Sequence, residues 1–120
     1  MIRGYRDLDV YQRSYRLALE VHCLTAELKE NERFYLSTQM RRAAVSIPLN
    51  IAEGYGKRKS EAEFKHYLRN SLGSCNEVQV LCDMLKDLKY IGEEKHSLLR
   101  EEYDIVGKML SKLISVWRTI

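Results

Sequence analysis

Turn-forming residues are scarce in this chain: one proline and six glycines among 120 positions. An all-β fold of that length needs many tight turns, which Gly and Pro supply, so that class is excluded. Period-2 alternation long enough for a strand is missing too. Nowhere does an apolar run approach the roughly 20 residues of a membrane span, so no membrane partner is expected. Arg3 and Arg6 arrive before any apolar run forms, which argues against a secretory leader. Cysteine is limited to Cys23, Cys75 and Cys82, an odd number without framework spacing. At least one thiol stays unpaired within the chain, so a reducing, cytoplasmic setting is expected. Neither sign of charge dominates, since 20 Lys and Arg against 17 Asp and Glu leave +3.

What the chain does have is helical periodicity. With 45% hydrophobic and 31% charged residues, it has the composition of one globular domain with a real core. Val10, Ser14, Leu17, Val21, Leu24 and Leu28 step by 4 and 3, the narrow seam used by nearly parallel or antiparallel helices. Leu36, Met40, Ala43, Ile47, Asn50 and Gly54 form a second seam, with Gly54-Tyr55-Gly56 as its stop. Ser60-x-x-Glu63 is a capping box opening a third helix, whose seam is Phe64, Leu68, Ser71, Cys75, Val78, Cys82 and Leu85. Leu99, Tyr103, Val106, Leu110, Leu113 and Trp117 form the fourth. The expected fold is all-α: an up-down-up-down antiparallel four-helix bundle, one domain over residues 1–120. Its helices are expected at about 8–30, 36–55, 61–89 and 93–118, with short loops including a break from Lys29 to Tyr35. Pro48 falls inside the second helix and is expected to kink it. Asn50 has two readings, a polar seam residue that fixes register or a binding residue.

Catalytic patterns fare poorly. Di-iron bundles use Glu-x-x-His on two helices, and the chain holds Glu63-x-x-His66 and Glu93-x-x-His96. In antiparallel neighbours the starts of the third and fourth helices lie at opposite ends, roughly 30 Å apart. His66 also falls off its seam, so no metal site is expected. Gly54-Tyr55-Gly56-Lys57-Arg58-Lys59-Ser60 lacks the spacing and the preceding strand of a phosphate loop. Cys75 and Cys82 sit on a seam and read as small buried hydrophobes. No cofactor and no enzymatic activity are expected.

Charge placement says more. The segment from Leu36 to Asn70 holds seven Lys or Arg against three Glu, a net +4, and the rest of the chain is −1. Arg41, Lys57, Arg58, Lys59, Lys65 and Arg69 are the candidate contacts for nucleic-acid phosphate, with Tyr55 and Tyr67 placed to stack on bases. Lys57 to Lys59 also precede a helix amino end, where the dipole favours anions. The alternative is a solvated basic loop with no ligand. A second signal is apolar surplus. Tyr15, Leu19, Cys23 and Ala26 lie roughly opposite the first seam, Val45, Leu49 and Ala52 lie off the second, and Val80 and Met84 off the third. A lone bundle needs one apolar face per helix, so these favour self-association, with Tyr15, Leu19, Val45 and Leu49 as the candidate interface.

The run from Leu36 to Gly54, LSTQMRRAAVSIPLNIAEG, resembles the signature of the bacterial four-helix proteins encoded in intervening sequences of 23S rRNA genes, also called the S23 ribosomal protein family. Asp7-Leu8-Asp9-Val10-Tyr11-Gln12, Gly73-Ser74 followed by Glu77, and Leu88-Lys89-Tyr90-Ile91 fit the same pattern. Two departures are Tyr11, where the pattern has Trp, and the lack of a proline before Leu36. The resemblance implies a homopentamer and no catalytic residues. A distant relative, the accessory variability determinant protein of diversity-generating retroelements, is a basic pentamer that binds nucleic acid and a reverse transcriptase. Gln39, Arg42, Ser46, Pro48, Asn50, Glu53, Gly54 and Glu77 match signature positions. Arg42, Ser46, Leu49 and Glu53 share one helical face by spacing, and Arg42 and Glu53 are expected in a structural network at a helix or subunit contact. The sequence therefore reads as a non-enzymatic homo-oligomeric scaffold for RNA or DNA, with a protein-interaction adaptor as the alternative.

Overall fold

The computed structural model describes residues 1–28 and 31–119, with backbone alone at 31–33. A single 3-10 turn at Tyr5–Asp7 leads into α1 (Asp9–Ala26), α2 (Asn31–Gly56), α3 (Glu61–Asp87) and α4 (Glu93–Val116). Among the described residues there is no strand, and no helix is long and apolar enough to cross a membrane. Successive helices run antiparallel in a four-helix bundle measuring 49 × 21 × 21 Å. The α2–α3 contact is the most extensive and the α1–α4 contact the thinnest. Arg13 and Arg16 of α1 bridge that thin side, reaching Glu102 at 3.0 and 3.5 Å.

The α3 seam is wholly buried, all seven positions from Phe64 to Leu85. Tyr103, Val106 and Leu110 meet it from α4, and Leu17 and Val21 complete the centre from α1. α2 buries more than its seam: Ala44, Ile51 and Tyr55 are core as well, because this helix packs against both α1 and α3. Ser71 crosses between helices, donating to the Ile47 carbonyl at 2.9 Å.

Three local expectations change. α2 begins at Asn31, so the break is shorter than Lys29 to Tyr35; Lys29 and Glu30 themselves lie outside the described residues. Glu32 and Arg33 are good helix formers, and neither Gly nor Pro interrupts the run to Tyr35. α1 ends at Ala26, and Leu28 reaches the core from the following turn, where its N–H donates to the Thr25 carbonyl. α2 ends at Gly56, the last residue of the expected Gly54-Tyr55-Gly56 stop, but Gly54 itself lies inside the helix and serves its packing. A Cβ there would lie 2.6 Å from Tyr67 Cβ and 3.1 Å from Phe64 Cδ1, so glycine is what lets α2 and α3 approach.

Candidate nucleic-acid interface and association groove

The antiparallel order brings the end of α2, the start of α3 and the end of α4 to one corner. Two tight turns shape it: Lys57 and Arg58 donate backbone N–H to the carbonyls of Gly54 and Tyr55, and Ser60 donates to Lys57. Ser60 Oγ accepts the Glu63 N–H at 3.2 Å. Because the Ser60 N–H is spent on Lys57, only that half of the capping box forms. The amino end of α3 is thus capped by its own serine and carries Glu61 and Glu63 in its first turn, so it is a poorer anion site than the dipole alone implies.

The corner's cations divide into engaged and free. Lys57 Nζ lies 2.7 Å from Tyr67 Oη, 4.8 Å from that ring's centroid and 3.8 Å from Glu53 Oε2. The Tyr67 hydrogen bond holds its pKa above the usual value, with Glu53 a lesser cause. Arg58 covers the Tyr55 ring at 4.2 Å and donates to the Tyr55 carbonyl. Lys65 pairs with Glu61 at 3.7 Å. Lys59 and Arg69 are exposed and meet no carboxylate among the described residues. Tyr55 does not offer a stacking face: it is buried, edge-on to Phe64 and Trp117, with Arg58 over its ring. Arg41 does not join the corner either. It lies about 24 Å away along α2, where its Nε donates to Thr25 Oγ1 at 2.6 Å and ties α2 to α1.

Residues after α4 also reach this corner, a contact that helix spacing alone does not show. Thr119 Oγ1 donates to the Arg58 carbonyl at 2.7 Å, its N–H donates to Glu61 Oε1 at 3.3 Å, and this brings Arg118 to the corner. The signal was available, because an antiparallel fourth helix must finish beside the second-to-third turn.

The four expected association residues converge. Tyr15 and Leu19 from α1 and Val45 and Leu49 from α2 line one apolar groove of about 300 Å³, floored by Pro48. All four are exposed, from 45% at Val45 to 62% at Leu49. Tyr5, Tyr11 and Tyr15 form a ladder along it, with centroids 4.9 and 5.9 Å apart. Burial and the neighbouring Tyr5 push the Tyr11 hydroxyl up.

The remaining signature positions are mostly local. Ser46 donates to the Ala43 carbonyl and Asn50 to the Ser46 carbonyl, both at 2.8 Å. Asn50 is half-buried and bonds within its own helix, so it sets no register inside the chain. Gln39 is half-buried, and Arg42 and Glu77 are exposed without partners among the described residues. Arg42 and Glu53 are not paired with each other: eleven residues of helix separate them, and Glu53 holds Lys57.

A 23S rRNA-intervening sequence protein model matches residues 6–112. The chain belongs to that family. A solved structure of a protein with unknown function, from the S23 ribosomal protein family of Bacteroides thetaiotaomicron, is similar at 27% identity and a TM-score of 0.83. The match covers 89% of this chain and 96% of that one. No curated protein matches the chain. Among the described residues no group of three His, Cys, Asp or Glu could hold a metal. His66 stacks edge-on to Tyr67, and His96 sits 2.7 Å from Asp83.

Proposed function

We propose that this intervening-sequence protein is a non-enzymatic scaffold that self-associates and binds RNA or another nucleic acid at its α2–α3 corner. The observation that carries the reading is the α1/α2 groove. Large apolar and aromatic side chains from stripes on two helices stand together in the open, where a monomer gains nothing from them. The assembly we propose is a homopentamer, following the family resemblance, in a cytoplasmic setting. Nucleic-acid contact is supported by Lys59 and Arg69, free of carboxylates, beside Lys57, Arg58, Lys65 and Arg118. Repeating a weak basic corner in every subunit multiplies its affinity through effective concentration.

Titration with a structured RNA at two salt concentrations tests the ligand. Binding that is micromolar or tighter and weakens with salt is expected; no binding at low salt removes the nucleic-acid role. The groove also favours a second reading, an adaptor for another protein. That reading expects a captured protein partner to survive nuclease treatment.

A further inference from the structure

On the outer side of α3, opposite its buried seam, Gly73, Glu77, Val80 and Met84 follow one another at steps of 4, 3 and 4. Val80 and Met84 are exposed at 58% and 42%. Gly73 stands in the helix interior, where glycine is the least favourable residue after proline. A Cβ built on it meets nothing within 4 Å among the described residues, so none of them requires glycine there. An interior glycine without an internal cause fits close approach by another chain. Glu77 within this ridge and Asp87 just beyond it are exposed and have no partner among the described residues.

The α1/α2 groove has the opposite character. It is concave and apolar, and Arg42, exposed and without a partner among the described residues, stands about one turn before Val45 of its lining on α2. Arg6 lies at its Tyr5 end, 5.3 Å from that ring's centroid. Glu53, on the same helical face as Arg42 by spacing, is already held by Lys57.

We propose that the α3 ridge of one copy of the chain seats in the α1/α2 groove of a second copy, with Glu77 and Asp87 facing Arg42. This rests on the self-association reading above and specifies its contact. A ridge of side chains one turn apart, apolar at Val80 and Met84, packs naturally between two helices, and Gly73 leaves room for the bulk of the groove's tyrosines. Ridge and groove are different surfaces, so the contact is head-to-tail. Repetition closes a ring or extends a filament. A two-fold contact of groove on groove would leave the α3 ridge bare.

Leu49→Asp spoils the groove and Met84→Asp spoils the ridge. Both positions are exposed, and circular dichroism checks that each variant folds. Alone, each is expected to fall to the 14.1 kDa monomer. Mixed, the two retain one intact ridge and one intact groove, so a heterodimer of twice that mass is expected. If Met84→Asp keeps the wild-type mass, the ridge is not the contact, although self-association stands. A mixture that stays monomeric also overturns the contact. If the wild type is itself monomeric, the contact and the self-association reading fall together. Should an aspartate variant not fold, Gly73→Leu decides: it adds bulk where the chain has open space, so the fold is expected to stay and the assembly to dissociate. An unchanged assembly mass for Gly73→Leu overturns the contact.

Discussion

Gly54 and Tyr103 show how much single residues contribute to this bundle. Gly54→Ala drives a methyl into Tyr67 Cβ at the α2–α3 contact, so a loss of about 1–3 kcal/mol is expected in a denaturant melt. Tyr103 is the reverse case. Its hydroxyl is buried with no hydrogen-bond partner among the described residues. Tyr103→Phe removes that cost and is expected to raise stability by about 1 kcal/mol. Burial pushes the Tyr103 hydroxyl far up, and it pushes the Cys82 thiol from 9.0 up to about 11. The folded state keeps the Cys82 proton where the unfolded chain loses it. Its stabilising effect is therefore complete below pH 9 and lost as pH rises through about 11. Melting temperature is expected to fall across that window, less steeply in Cys82→Ala. At this scale the sequence misleads where one residue type serves two ends. Tyr55 near lysines resembles a stacking platform, and Gly54 near a helix end resembles a stop. Only the partner helix shows that the first is core and the second a close approach.

The elements themselves were far more legible. Every α3 seam position is buried, because a heptad stripe leaves a helix in an antiparallel bundle little choice of face. The start of α2 was harder to place, since no Gly or Pro marks it and the helix formers simply continue. The end of α3 carries a cap that spacing cannot reveal. Tyr90 N–H bonds the Leu85 carbonyl and Lys89 N–H the Lys86 carbonyl, both at 2.8 Å, a Schellman closure. Lys89 takes the left-handed position at φ 66°, where glycine is the usual residue. Lys89→Gly is expected to stabilise the bundle by about 0.5–1 kcal/mol, read as a higher denaturant midpoint with an unchanged slope.

At the scale of the whole molecule, free positive charge and exposed apolar surface gather in two places, the α2–α3 corner and the α1/α2 groove. The basic segment from Leu36 to Asn70 is real in sequence, yet folding spreads it: Arg41 braces α1 while Lys59 and Arg69 remain free. Spacing gave the sign of the patch but not the carboxylates that trim it, because Lys57–Glu53 and Lys65–Glu61 depend on side-chain reach. Lys59→Ala with Arg69→Ala is expected to weaken RNA binding uniformly and to reduce the salt slope by about two, one per lost phosphate contact. The apolar stripes were legible one helix at a time, whereas their union in one groove needed the α1–α2 packing. That union is what supports the proposed self-association. The mass of the wild-type chain in solution, by light scattering at micromolar concentration, tests this most directly. The account predicts a multiple of 14.1 kDa, five-fold for the pentamer; a single 14.1 kDa species would contradict it.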